Sequence, residues 1–120
     1  MKRIASFGAF LALSLAPPAA CAHAFLDHAI PAVGGAVATA PKEVRMYFTQ
    51  PLEPAFSGAT LRGADGRTIA TGAATVDRQN PMELVIKLPP LPAGHYKVEW
   101  QVVSVDTHRT EGSFAFDVGP

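Results

Sequence analysis

Between positions 43 and 50 the chain alternates strictly, with Val44, Met46 and Phe48 apolar and Arg45, Tyr47 and Thr49 polar or amphipathic. That period of two marks a half-buried strand, and Pro51 and Pro54 end it because proline cannot donate to a ladder. The same pattern returns over residues 83–88, where Leu84, Ile86 and Leu88 share a face. It is longest in the apolar run 96–105, with Tyr96, Val98, Trp100 and Val102 on one side and Lys97, Glu99 and Gln101 on the other. Phe114, Phe116 and Val118 give the last strand, over residues 113–118. Residues 24–30 read as a first strand, stopped by Pro31 and the Gly34-Gly35 turn, and residues 57–62 as a further one. Asp65-Gly66 is a turn signal, followed by a returning arm over residues 67–76 that Gly72 interrupts. Residues 77–81 read as a polar loop, and Pro89-Pro90-Leu91-Pro92-Ala93-Gly94 forces a corner.

No window carries a helical period. About seven short strands punctuated by Gly and Pro predict an all-β fold, an immunoglobulin-like antiparallel Greek-key β-sandwich. Residues 91–96 have the form of a tyrosine corner, in which the Tyr96 hydroxyl bonds back to the preceding connection. Trp100, in mid-strand, is the natural centre of the core because it buries the largest apolar area. Glu43, Glu83, Glu99 and Glu111 read as solvated positions.

Composition adds bounds rather than detail. The 120 residues suffice for one small domain. Ten basic and ten acidic side chains leave no net charge, which argues against nucleic acid or an anionic membrane surface as the main partner.

The first 22 residues stand apart from this pattern. Lys2-Arg3 precedes an apolar stretch over residues 4–16, and Pro17-Pro18 and Ala20-Cys21-Ala22 follow, the layout of an export signal with a small-x-small cleavage site. The apolar stretch is shorter than the ~20 residues a membrane span needs. The expected division is a cleaved signal peptide at 1–22 and a single domain at 23–120, exported to the periplasm. Pro18 stands where a lipobox wants an aliphatic residue, which disfavours acylation of Cys21. Cleavage after Ala22 removes that cysteine, the only one, so the mature domain has no disulfide. It also removes two basic residues, leaving eight against ten acidic.

Cleavage has a chemical consequence too: His23 becomes the first residue. A terminal histidine offers its α-amine and ring Nδ1 from one residue, and the amine, with a reference pKa of about 8, gives up its proton to a metal at little cost near neutral pH. Near the other end, Asp106-Thr107-His108 closes the long apolar run. On an extended backbone residues two apart point to one side, so Asp106 and His108 can converge on one ion. Three nitrogens and one carboxylate oxygen, tetragonal and without thiolate, select Cu(II) over most divalent competitors; Zn(II) accepts similar donors but prefers a tetrahedron. In a sandwich, the first residue and the end of a late strand can meet at one pole. The expected site is therefore one Cu(II) ion held by His23, Asp106 and His108.

The mature start at His23, Ile30-Pro31 with its Gly/Ala-rich turn, residues 44–49, Phe56-Ser57-Gly58-Ala59, residues 91–100, residues 103–108 and residues 112–116 together resemble the CopC-type periplasmic copper resistance proteins over essentially the whole mature chain. The resemblance implies that His23, Asp106 and His108 are Cu(II) ligands. It further implies a role in copper homeostasis or resistance, often beside an inner-membrane copper transport protein. Two features depart from the family pattern. Gln50 stands where some members place a Glu beside the copper, with Glu53 close by. Only Met46 and Met82 remain after cleavage, so the Met-rich Cu(I) loop of some relatives has no counterpart. His28 reads as a surface residue with Asp27 beside it, and His95 as part of the corner before Tyr96.

The expected function is that of a monomeric, non-enzymatic copper-binding protein of the periplasm that buffers, sequesters or hands on the ion. Two other classes remain open. A copper-dependent oxidative enzyme would use a similar amine and two imidazoles but needs the equatorial position that Asp106 would fill. A purely structural immunoglobulin-like module would bind no metal tightly.

Overall fold

The computed structural model describes residues 23–120, so the signal peptide expected at 1–22 lies outside the described residues. Nine strands follow in chain order: β1 (Leu26–Ile30), β2 (Ala36–Val37), β3 (Glu43–Phe48), β4 (Gly58–Arg62), β5 (Thr68–Ile69), β6 (Thr75–Asp77), β7 (Asn80–Lys87), β8 (Gly94–Val103) and β9 (Arg109–Val118). They form a four-stranded sheet in the order β1-β3-β7-β6 and a five-stranded sheet in the order β2-β9-β8-β4-β5. Every pairing is antiparallel except that of β2 with β9. The expected sandwich is present, with nine strands rather than about seven. β2 and β5 are two-residue edge pairings, too short to leave an alternation in the sequence.

The alternation predicted along the chain supplies the two inner faces. Val44, Met46 and Phe48 of β3 and Leu84 and Ile86 of β7 are buried against Tyr96, Val98, Trp100 and Val102 of β8 and Phe114, Phe116 and Val118 of β9. Burying a side chain of this size contributes roughly 1.5–3 kcal/mol. Phe48 and Trp100 come from different sheets and meet edge to face, with ring centroids 5.1 Å apart, so this pair ties the two layers together. Trp100 also decides its neighbour across the β8–β9 ladder, Gly112. A Cβ at Gly112 would lie 2.5 Å from Cζ2 of the indole. The tyrosine corner forms as expected, the Tyr96 hydroxyl donating to the Pro92 carbonyl at 2.5 Å.

Three expectations are corrected. Glu83 is not solvated: it is buried at 4 % exposure, where its carboxylate accepts from Arg45 Nη1. Arg45 also donates from Nε to Glu43 at 2.5 Å, so the buried charge is paired rather than orphaned. Residues 67–76 are not one arm. β5 pairs with β4 in one sheet and β6 with β7 in the other, so the Gly72 interruption is where the chain changes layers. There the Gly72 N–H donates to the Lys87 carbonyl at 2.9 Å. Finally, residues 77–81 are a tight hairpin rather than a loop, with Asp77 paired to Asn80 and Asp77 Oδ1 accepting from the Gln79 N–H at 2.8 Å.

Candidate metal centre

The longest ladder in the molecule, β8 with β9, runs in unbroken register from Gly94 opposite Val118 to Val103 opposite Arg109. Residues 104–108 connect the two strands, and the sequence expectation needs revision here. Asp106 and His108 do not lie on an extended strand. The Thr107 N–H donates to the Ser104 carbonyl at 2.8 Å and the Ser104 N–H to the His108 carbonyl at 2.9 Å, which closes a turn. Thr107 takes φ +73°, in the left-handed region that β-branched residues avoid. The two side chains still converge, but through the turn and not through the pleat.

The turn is fixed from below. Ser104 bridges Leu52, the Val105 N–H donates to the Pro51 carbonyl at 3.1 Å, and the Glu53 N–H to the Val103 carbonyl at 2.8 Å. The Ser104 side chain is 1 % exposed, and its hydroxyl donates to Asp106 Oδ1. The same oxygen lies 3.3 Å from His108 Nδ1 and 3.4 Å from the His108 backbone nitrogen. These donors, Ser104 first and His108 after it, hold the Asp106 carboxyl below its ordinary value against a smaller opposing effect of burial. Asp106 is thus a carboxylate at neutral pH. The carboxylate and the Nδ1 edge of His108 face one another across the turn.

His23 arrives at the same pole from the other end of the chain. Its ring lies against that of His108, with centroids 4.6 Å apart and planes inclined by 34°. The segment that carries it is not frayed. Ala24 is fully buried, the Phe25 carbonyl accepts from the Thr49 N–H at 3.0 Å, and the Ala24 carbonyl accepts from Thr110 Oγ1 at 2.6 Å.

The donor chemistry fits a nitrogen-rich copper site, but the rings are packed more closely than an ion between them would allow. Two imidazoles bound on opposite sides of one ion, with metal–nitrogen bonds near 2.0 Å, would hold their centroids roughly 6 Å apart. Accordingly, among the described residues no group of three His, Cys, Asp or Glu side chains is set ready around an ion. The closing move is small: the His23 ring must swing out by roughly 1.5 Å on that same bond length. The second nitrogen of His23, its α-nitrogen, is a peptide nitrogen in the 120-residue chain and becomes a donor only when the bond to Ala22 is cut.

The other expected or doubtful residues lie apart from this cluster or at its margin. His28 pairs with Asp27, Nδ1 to Oδ2 at 2.7 Å, and stacks flat on Tyr47 with centroids 4.3 Å apart. His95 pairs with Asp117 at 2.6 Å at the start of the ten-residue β8, roughly 30 Å from the turn at about 3.3 Å per residue. Gln50 and Glu53 are half-buried in the segment that supports the turn. Met46 is core and Met82 is 39 % exposed on β7, so no thioether cluster forms among the described residues. Sequence reasoning missed Ser104, Thr49 and Thr110. The only available signal was a hydroxyl residue beside each candidate ligand or facing its strand, and hydroxyls there are too common to single out.

The CopC domain family profile matches residues 26–119. Protein YobA of Escherichia coli K12 is 39% identical over 111 residues, 92% of this chain and 90% of that protein. The crystal structure of CopC from Methylosinus trichosporium OB3b superposes with a TM-score of 0.78 at 35% identity, covering 82% of this chain and 95% of that one. The crystal structure of PcoC, a methionine-rich copper resistance protein from Escherichia coli, gives a TM-score of 0.72 at 35% identity over 81% of this chain and 99% of that one. With the profile spanning most of the chain and the sandwich shared across both structures, the chain belongs to the CopC domain family.

Proposed function

We propose that this protein binds copper as its cargo in copper resistance or homeostasis, and that the ion is a single Cu(II) held by His23, Asp106 and His108. The observation that carries the reading is the contact of the His23 and His108 rings, 4.6 Å apart, beside a carboxylate that is ionised and oriented. His23 contributes its amine and ring nitrogen after removal of residues 1–22, His108 one imidazole nitrogen, and Asp106 an oxygen. Cu(II) favours a tetragonal set of this composition, and nothing in it is soft enough to prefer Cu(I). The mature protein acts in the periplasm as a monomeric binder that buffers the ion or passes it to an inner-membrane copper transport protein; it is not an enzyme, since the carboxylate fills a position that oxygen chemistry would need open.

Mass spectrometry of the exported protein, joined to a Cu(II) titration followed by EPR, tests this reading. The expected product begins at His23, takes one equivalent of Cu(II), and loses a nitrogen from the EPR pattern in His108→Ala. A product that begins elsewhere, or a His108→Ala variant with unaltered affinity and spectrum, would sink it.

A further inference from the structure

The three residues that bring the amine to the pole are held at every carbonyl by one of two threonines. Thr49, just past β3, donates from its backbone N–H to the Phe25 carbonyl at 3.0 Å. Its Oγ1 accepts from the Phe25 N–H at 2.9 Å and donates to the His23 carbonyl at 3.4 Å. Thr110, on β9, donates from Oγ1 to the Ala24 carbonyl at 2.6 Å. Ala24 is at 0% exposure. The two threonines thus act from opposite sheets and clamp the segment between the layers.

The clamp matters because of what Cu(II) does with an unstructured N-terminus. The ion binds the amine, then displaces the proton of the next backbone amide, whose nitrogen closes a five-membered chelate ring. The following amide closes a second. Each step requires the peptide plane to turn its nitrogen toward the metal. Here the peptide that carries the Ala24 nitrogen has its carbonyl, that of His23, held by Thr49 Oγ1 beside a fully buried Ala24, and the next peptide is held at both ends, its Ala24 carbonyl by Thr110 and its Phe25 N–H by Thr49. We propose that Thr49 and Thr110 are positioning residues that withhold the Ala24 and Phe25 amide nitrogens from copper. The ion then takes only the amine and ring nitrogen from this segment and must complete its plane with His108 and Asp106. The inference rests on the reading that Cu(II) is bound at His23. It adds that the threonines, which touch no metal, decide which donors the ion receives.

The test uses the chain beginning at His23, the double variant Thr49→Val/Thr110→Val and the conservative double variant Thr49→Ser/Thr110→Ser. Each is loaded with one equivalent of Cu(II) sulfate at a fixed, mildly alkaline pH, with thermal melts to verify the fold. The expected result is a wild-type visible band and EPR nitrogen pattern reproduced by the Ser variant. In the folded Val variant the band moves to shorter wavelength and one further in-plane nitrogen appears. If the Val pair does not fold, Thr49→Val alone, which removes the bonds to the His23 carbonyl and from the Phe25 N–H, is read in the same way. A folded Val variant with the wild-type spectrum overturns the inference, as does a wild-type spectrum that already contains amide nitrogen. A wild-type spectrum without the amine and imidazole nitrogens overturns the site reading itself, which keeps the two failures distinct.

Discussion

Asp106 owes its role to Ser104. A hydroxyl at 1 % exposure has one hydrogen to give, and giving it to Oδ1 both satisfies a buried polar group and points the carboxylate toward His108. Such outer partners of metal ligands are rarely visible in a single sequence, because serine in a turn needs no special explanation. Gly112 is a second residue whose reason is spatial. Trp100 was legible as the core's centre from its size and alternation, yet the sequence could not show that its indole would lie over the facing position of β9 and exclude a side chain there. Gly112→Ala forces the indole or the strand to shift, an overpacking that typically costs about 1–3 kcal/mol. The melting temperature should fall by roughly 4–24 °C, at about 4–8 °C per kcal/mol for a domain of this size. An unchanged melting curve would mean that the core accommodates the methyl group freely.

At the scale of elements, the sandwich could be read from the chain because its inner-face strands alternate. β3, β8 and β9 appear nearly where the period of two puts them. What the pattern hid were elements whose identity depends on pairing: the layer change between β5 and β6, the edge pairs β2 and β5, and the turn after β8. The apolar run through Val105 suggested a strand continuing to His108, but Thr107 at φ +73° turns the chain back and begins β9. A threonine held in that conformation stores of order 1 kcal/mol, which survives because Ser104 and the Pro51–Glu53 segment over-determine the turn. Asparagine tolerates left-handed backbone far better. Thr107→Asn should therefore raise the melting temperature by several degrees, about 4–8 °C per kcal/mol regained. A decrease would show that the Thr107 hydroxyl bond to the Asp106 carbonyl outweighs the strain.

Across the whole molecule, the copper-free domain should be acid-sensitive in a defined window. Glu43 is held below its ordinary 4.5 chiefly by Arg45, Glu99 below 4.5 chiefly by Arg62, and Asp106 below 3.8 chiefly by Ser104. Each folded-state value lies below the unfolded one. The stabilisation is therefore complete above the ordinary values and lost as pH falls through the folded ones. Thermal melts from pH 7 to pH 2.5 should be level above about pH 5 and decline below about pH 4. Greater stability at pH 3 than at pH 6 would contradict this assignment. The candidate site was partly legible for a different reason. Asp106 and His108 share a short motif, and the expected cleavage after Ala22 singled out His23, but only the fold could bring two ends of the chain to one pole.

That meeting is the central claim, and the terminal amine is where it is most exposed to test. Cu(II) affinity, measured by competition against a chelator of known strength, should be compared between the chain beginning at His23 and the same chain with its His23 amine acetylated. Acetylation leaves both imidazoles and the carboxylate in place and removes only the amine as a donor. Affinity should drop by at least about tenfold, the low end of what disturbing a metal's immediate surroundings costs, with one nitrogen lost from the EPR pattern. Equal affinity and an identical spectrum in the two chains would show that His23 does not bind copper through its terminus.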